Sequence, residues 1–251
     1  MPLTENPAAL LKPLAKGLIV SSQASAGEPL AHPQVLAAMA ASAVQGGAVA
    51  VRLEGTESIK TFKALYPTLG VPVIGLIKTA LPALLAALDA IYITPTLHEA
   101  QQLIAAGVSY IALDATQRPR PQPLQELVNA IREEILASGQ AIGLWADCAD
   151  VNDADHAFAM GFDVVSTTLS GYTRQTSTSP ACVTQTPDFK LLSQMLALKA
   201  QRAAQTSVVL EGRVWAPWQY RQALALGADA VVVGSALTRL TLMTQRYTQC
   251  F

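Results

Sequence analysis

The stretch Ser207-Val-Val-Leu-Glu-Gly-Arg213, followed one helix later by Ala230-Val-Val-Val-Gly-Ser235, decides the fold. Each is a short apolar run that stops abruptly in glycine and polar residues where the next helix begins. A strand buried on both faces reads this way, because helices cover both sides of a parallel sheet. Glycine at a strand-to-helix turn lets backbone N–H groups approach a phosphate at the helix N-terminus. Two consecutive final strands ending in this manner fit an eightfold α/β barrel of the phosphate-binding type. Fold, ligand charge and the location of the site are therefore constrained together.

Working outward, a helix–glycine–strand unit recurs along the chain. Gln45-Gly46-Gly47 precedes Ala48–Val51, Ala106-Gly107 precedes Tyr110–Leu113, Met160-Gly161 precedes Val164–Ser166, and Leu226-Gly227 precedes Ala230–Val233. Glycine just past a helix end supplies the left-handed residue that stops the helix. Repetition of the unit implies right-handed βα crossovers in a parallel sheet. The spacing predicts strands at Leu18–Ser21, Ala48–Arg52, Val73–Lys78, Tyr110–Asp114, Ile142–Asp147, Val164–Thr167, Val208–Glu211 and Ala230–Gly234. Between them it predicts helices at Pro33–Gln45, Glu57–Leu65, Leu97–Ala106, Leu124–Ala137, Asn152–Met160, Asp188–Ala204 and Pro217–Leu226. Ile91-Tyr-Ile-Thr-Pro95 reads as a short side strand ended by its proline, and Leu81–Ala90 as a short helix. No Pro/Ser-rich linker interrupts residues 1–251, so one (β/α)8 barrel domain with a short N-terminal segment and a C-terminal helical tail is expected. The longest polar loop, Thr173 to Pro187, falls where an active-site lid would lie.

Bulk properties agree with that fold. The 251 residues are 51% hydrophobic and 14% charged, enough for a large core. Seventeen basic side chains balance eighteen acidic ones, so there is no electrostatic footprint for nucleic acid or an anionic membrane. A phosphate must then be held by local geometry. Cys148, Cys182 and Cys250 are odd in number and widely spaced, which points to neither a disulfide framework nor a zinc site. Met1 to Lys16 lacks an apolar core with a small-residue cleavage site, and no run approaches 18 apolar residues. A reduced, soluble, cytoplasmic protein is expected, with no membrane partner.

Chemistry in a parallel barrel collects at the C-terminal strand ends. Here those ends are Gln23, Arg52, Lys78, Asp114, Asp147, Thr167-Thr168, Glu211-Gly212-Arg213 and Gly234-Ser235. Asp114, Thr167 and Thr168 suit helix capping as well as function. Lys78 and Glu211 are harder to explain structurally, since lysine and glutamate are rarely buried unpaired. His32, His98 and His156 all fall at helix starts or on helices, so neither a metal site nor a histidine base is expected, and no cofactor is implied. Gly212, Gly234 and Ser235 offer backbone N–H groups to a phosphate, with Arg213 as a charged clamp.

These residues also carry a family resemblance. Gly17-Leu-Ile-Val-Ser-Ser-Gln-Ala24, Gly27-Glu-Pro-Leu30, Gly47–Arg52, Val73-Ile-Gly-Leu-Ile-Lys78 and Tyr92-Ile-Thr-Pro-Thr96 resemble segments of the N-acetylmannosamine-6-phosphate 2-epimerases. So do Ile111-Ala-Leu-Asp-Ala-Thr116, Arg118-Pro-Arg-Pro121, Ser166–Thr173, Pro187-Asp-Phe189, Glu211-Gly-Arg213 and Val233-Gly-Ser-Ala236, in order along nearly the whole chain. Two stretches depart from the family pattern: Thr79 with an apolar insertion after Lys78, and a longer loop after Thr173. The resemblance implies a (β/α)8 barrel that interconverts N-acetylmannosamine 6-phosphate and N-acetylglucosamine 6-phosphate in sialic-acid catabolism. It carries functional roles to Gln23, Arg52, Lys78, Asp147, Glu211 and Arg213.

Epimerisation at C2 most simply proceeds through the open-chain aldehyde, loss of the C2 proton to an enolate, and reprotonation on the other face. Lys78 is the expected acid/base. Glu211, four strands away, either orients Lys78 and the sugar hydroxyls or is the second proton carrier. Asp147 and Gln23 are expected to orient the substrate. Three other readings fit parts of the pattern. They are a Schiff-base aldolase or lyase using Lys78, a metal-dependent pentose-phosphate epimerase, and a sugar-phosphate-binding barrel without catalysis. The apolar tail, Leu240 to Phe251, suits either a homodimer interface or a return onto the barrel.

Overall fold

The structure is a computed structural model that describes residues 14–25, 27–79, 88–177, 186–202 and 204–248. Eight parallel strands close into a barrel in sequential order: β1 (Gly17–Ser22), β2 (Ala50–Glu54), β3 (Val73–Leu76), β4 (Tyr110–Asp114), β5 (Gly143–Asp147), β6 (Val164–Ser166), β7 (Ser207–Glu211) and β8 (Ala230–Val233). Closure is by the pairing of Gly17–Val20 with Ala230–Val233. The described helices between strands are α1 (Pro33–Gln45), α2 (Thr56–Leu65), α3 (Leu97–Ala105), α4 (Leu124–Ser138), α5 (Val151–Ala159), α6 (Phe189–Arg202) and α7 (Pro217–Leu226). Two more, α8 (Ser235–Thr238) and α9 (Leu240–Thr248), follow β8. The eightfold parallel barrel expected from the sequence is thus present.

Period-two alternation sorts each strand into two faces. Outward residues such as Val51, Leu53, Ile111, Leu113, Val208 and Leu210 join the helices in one buried layer. Inward residues such as Ile19, Ala50, Ile74, Tyr110, Trp145, Val164, Val209 and Ala230 fill the barrel itself. Polar residues continue the inward phase at the C-terminal ends: Ile19–Ser21–Gln23, Ala50–Arg52, Ile74–Leu76–Lys78, Trp145–Asp147, Val164–Ser166–Thr168 and Val209–Glu211. The site therefore sits on top of the interior core and is built on the same register.

The helix ends follow their sequence signals. Thr96 with Glu99 and Asp150 with Asp153 form capping boxes at the starts of α3 and α5. His32 caps α1 by accepting from the Gln34 amide at 3.3 Å, and Pro33 occupies the first helical turn. His98 and His156 lie on α3 and α5, away from the strand ends. Gly227 closes α7 at φ +109°, a conformation open to glycine and costly for other residues.

Two of the strand boundaries that differ from expectation do so for definite reasons. β2 begins at Ala50 because the Ala48 amide still bonds back to the Ala43 carbonyl and closes α1. β3 ends at Leu76 because the Ile91–Pro95 segment wedges between it and β4. β3 and β4 share two register pairs, Ile74–Tyr110 and Gly75–Ile111. Beyond these, the Thr94 amide donates to the Ile77 carbonyl at 2.7 Å, and the Asp114 amide donates to the Ile93 carbonyl at 3.0 Å. Lys78 and Ile93 form an antiparallel bridge. The side strand is therefore a single bridge that supports Lys78. The helix expected at Leu81–Ala90 falls largely on residues 80–87, and the centre of the Thr173–Pro187 loop on residues 178–185, both outside the described residues, as are Cys182 and Cys250.

Gly75 shows how tightly the outer layer closes. A β-carbon there would lie 2.5 Å from Val108 Cγ1 and 3.0 Å from Leu103 Cδ2. Overpacking of a filled core costs about 1–3 kcal/mol. Gly75→Ala is expected to destabilise the protein by that amount, read as a lower midpoint of urea unfolding; an unchanged midpoint would show that α3 shifts without cost.

Candidate active site

A cavity of about 490 Å³ opens at the C-terminal end of the barrel. Its centre is Arg52, an inward residue of β2 that is 1% exposed. The guanidinium meets Asp147 of β5 in a two-point pair, Nη1–Oδ1 at 3.0 Å and Nη2–Oδ2 at 2.6 Å, and Nη1 also donates to Glu211 Oε2 at 3.0 Å. The Trp145 ring lies beneath it, 5.7 Å from the guanidinium carbon. The two carboxylates keep Arg52 charged despite its burial. Its Nε is buried and donates to no acceptor among the described residues.

Asp147 is fully buried and wholly engaged. Besides Arg52 it accepts from Ser166 Oγ at 3.1 Å and Thr168 Oγ1 at 2.8 Å. The Trp145 indole N–H fixes Ser166 Oγ at 2.9 Å. Asp147 is absent from the cavity lining, while Gln23, Arg52, Lys78, Glu211, Gly212, Arg213, Gly234 and Ser235 all line it. Thr168 also touches Glu211 Oε2, at 2.9 Å. Burial raises the Glu211 pKa above the usual carboxylate value, opposed by Arg52 and reinforced by Asp147.

Lys78 faces this cluster from β3. Its Nζ donates to Gln23 Oε1 at 2.7 Å, and Gln23 Nε2 in turn donates to Ser21 Oγ at 2.7 Å. Crowding by the barrel rim and then the Arg52 charge pull the Lys78 pKa below 10.5. Much of the side chain still meets solvent at the open mouth, so its desolvation is completed when a ligand fills the cavity. Lys78 and Glu211 thus stand on opposite strands with a positive charge between them. Both pKa values are displaced toward neutrality, the condition for proton transfer in either direction.

The opposite pole is built from backbone. Gly212 and Arg213 turn with φ of +102° and +58° after β7, and Gly234 packs so closely on β1 that a β-carbon would lie 3.3 Å from Ser21 Cβ. The amides of Gly212, Gly234 and Ser235 donate to no acceptor among the described residues, which suits an anion. The Arg213 guanidinium braces the loop after β6, through the Ser170 carbonyl at 2.6 Å and the Thr186 carbonyl at 2.9 Å. Arg239 and Arg246, which are not strand-end residues, also line the cavity. They lie beyond the last strand, where a strand-end rule does not look.

Two polar strand ends stay structural. Asp114 is buried in ion pairs with Arg118 and Arg120, and Thr167 Oγ1 bridges to the Glu211 backbone. Ser21 and Tyr92 were not singled out from the sequence, although both line the cavity, as does the strand-end Thr168. Ser21 could have been found from the inward phase alone. Among the described residues no group of three or more His, Cys, Asp or Glu could hold a metal ion, and no helix is long and apolar enough to cross a membrane.

Comparison with known proteins gives the same picture. A family model described as "Putative N-acetylmannosamine-6-phosphate epimerase" matches residues 36–251. Two relatives bear the name "Putative N-acetylmannosamine-6-phosphate 2-epimerase". The one from Thermosynechococcus vestitus is 42% identical over 92% of this chain and 91% of its own length. The one from Caldanaerobacter subterraneus is 39% identical over 95% and 92%. The solved N-acetylmannosamine-6-phosphate 2-epimerase of Clostridium perfringens superposes with a TM-score of 0.80 at 36% identity, covering 95% of each chain. With a family model matching residues 36–251 and relatives about 40% identical along nearly the full length of both chains, this chain belongs to the N-acetylmannosamine-6-phosphate epimerase family.

Proposed function

We propose that the protein interconverts N-acetylmannosamine 6-phosphate and N-acetylglucosamine 6-phosphate by proton transfer at C2, within amino-sugar catabolism. The observation that carries this reading is Lys78 and Glu211 on facing strands, with Arg52 held between them by Asp147. The 6-phosphate sits on the amides of Gly212, Gly234 and Ser235, with Arg213 adding charge and bracing the adjoining loop. The open-chain aldehyde then presents C2 between the two carriers. One removes the proton, Arg52 stabilises the enolate oxygen that forms, and the other returns a proton to the opposite face. Gln23 orients Lys78 and the substrate. Asp147 acts through Arg52, since its oxygens are already committed to Arg52, Ser166 and Thr168.

Lys78→Met and Glu211→Gln are each expected to lower kcat by about 10²–10⁴-fold. NMR in D2O would follow deuterium entering C2 alongside epimerisation. Full activity in either variant would remove that residue from the chemistry. A covalent adduct on Lys78 after borohydride treatment with substrate would favour the Schiff-base reading instead.

The active pair carries one proton. Below the raised Glu211 pKa both groups are protonated, and above the lowered Lys78 pKa both are deprotonated. Activity should therefore fall on the acid side at a pH above 4.5 and on the alkaline side below 10.5. The substrate phosphate titrates near pH ~6 in every variant. Comparison of the kcat–pH profile with the residual activity of Glu211→Gln isolates the carboxyl contribution. An acid limb unchanged in the variant would exclude Glu211 as its source.

A phosphorylated sugar does not cross a membrane unaided, which supports a cytoplasmic location. We also propose a homodimer. It is supported by Leu237, Leu240 and Tyr247, 55%, 67% and 76% exposed, beside an apolar groove against α1. Sedimentation equilibrium should give about twice the 26.4 kDa chain mass; a monomer mass at micromolar concentration would refute it.

A further inference from the structure

β3 and β4 separate just before Lys78, and one buried side chain fills the gap between them. Their register pairs end at Ile74–Tyr110 and Gly75–Ile111. Carried on at that register, a parallel ladder would next join the Ile77 amide to the Ala112 carbonyl and the Asp114 amide to the Ile77 carbonyl. Instead the Ile77 amide donates to Thr94 Oγ1 at 3.3 Å, and Thr94 Oγ1 donates to the Ala112 carbonyl at 2.7 Å. The Thr94 amide donates to the Ile77 carbonyl at 2.7 Å, and the Asp114 amide to the Ile93 carbonyl at 3.0 Å. Each ladder bond is thus relayed through the inserted segment. A threonine hydroxyl, with one proton and two lone pairs, can accept from one strand while donating to the other.

Thr94 makes these bonds from an unfavourable backbone. It is 1% exposed and holds φ at +44°, a left-handed conformation that suits glycine and strains a β-branched residue. Pro95, next in the chain, restricts it further. Glycine would relax the turn but would bring no hydroxyl to the gap. The residue held in place by this arrangement is Lys78. Ile77 packs on the outer apolar layer, so strand alternation turns Lys78 into the mouth. On its other side the Thr79 amide donates to the Tyr92 carbonyl at 3.0 Å. Residues 92–94 therefore grip the chain on both sides of Lys78.

We infer that Thr94 is a positioning residue for Lys78: its hydroxyl, held by a strained backbone between β3 and β4, fixes where the ammonium enters the mouth. What Lys78 then does rests on the epimerase reading; the hold of Thr94 on Lys78 does not. The charges facing Lys78 are Arg52 and Glu54 of β2, Glu211 of β7 and Arg239 beyond β8. Glu54 Oε1 also accepts from the Lys78 amide at 3.4 Å. Burial and Arg52 hold the Lys78 pKa below 10.5. A Lys78 released from the grip of Thr94 relaxes toward water and away from Arg52, so its pKa rises.

The test compares the purified full chain with its Thr94→Val, Thr94→Ser and Thr94→Gly variants, folding being checked by circular dichroism. The pH dependence of Lys78 acetylation by trace acetic anhydride, read by mass spectrometry without substrate, gives the Lys78 pKa. Steady-state turnover of N-acetylmannosamine 6-phosphate gives kcat and KM. Thr94→Val keeps the shape and loses the hydroxyl. It should raise the Lys78 pKa and lower kcat and kcat/KM equally, by about 10²-fold. Thr94→Ser keeps the hydroxyl and should return both readings toward wild type. Thr94→Gly, relaxed in backbone but without the hydroxyl, should repeat the valine result and covers the case in which Thr94→Val does not fold. Wild-type pKa and kcat in a folded valine or glycine variant would overturn the inference. So would a loss of kcat with the Lys78 pKa unmoved, or equal losses in the serine and valine variants. If wild type exchanges no C2 proton in D2O, the epimerase reading falls, and the acetylation profile alone decides whether Thr94 holds Lys78.

Discussion

The buried pairing of Arg52 with Asp147 is the constraint on which the rest of the site depends. A guanidinium with almost no exposure needs its charge met, and Asp147 meets it at two points while Glu211 meets it at a third. Removing one partner of such a pair costs about 3–5 kcal/mol, because the other is left charged and dry. The fork of Arg52 fixes direction as well as charge, something a flexible ammonium could not do. Asp147 is fixed in turn by Ser166 and Thr168, and Ser166 by the Trp145 indole. The chemistry is thus mounted on a chain of groups anchored in the barrel's interior core.

Alongside burial, that mounting shapes the pKa shifts of Lys78 and Glu211. One positive charge sits between a lysine and a glutamate, so it depresses the first pKa and opposes the burial that raises the second. His32, His98 and His156 lie outside the mouth on the helical shell. Lys78 and Glu211 have ordinary pKa values far from neutral, and the barrel's closure brings their environments together.

Most of the architecture was legible in the sequence because buried parallel strands are unbroken apolar runs and glycine marks the ends of α1, α3, α4, α5 and α7. The gripping turns Gly212-Arg213 and Gly234-Ser235 were legible for the same reason: glycine is needed where the backbone approaches closely. What was not legible depends on tertiary register. Asp147 and Glu211 look alike as strand-end acids, yet only the fold shows that one is sealed behind Arg52 while the other lines the cavity. Thr168 lies past the end of β6, and its contact with both acids comes from continued inward phase. Tyr92 lies in a segment whose pattern indicates a strand without indicating where it inserts.

The insertion of Tyr92–Thr94 between β3 and β4 takes Lys78 out of the parallel ladder and suspends it on a bridge of its own. The ladder bonds of the remaining strands do not pass through that bridge. Chain between Thr79 and Ile91 can therefore lengthen without altering barrel register, at a loop-closure cost of only about 0.6 kcal/mol per doubling. Here residues 80–90 of that stretch are apolar apart from Asp89. Ile93, the other member of that bridge, belongs to the barrel's interior core, so a substitution there also moves the support of Lys78. The position of Lys78 is thereby tied to the packing of the barrel's interior, while the length of the chain that follows it is not.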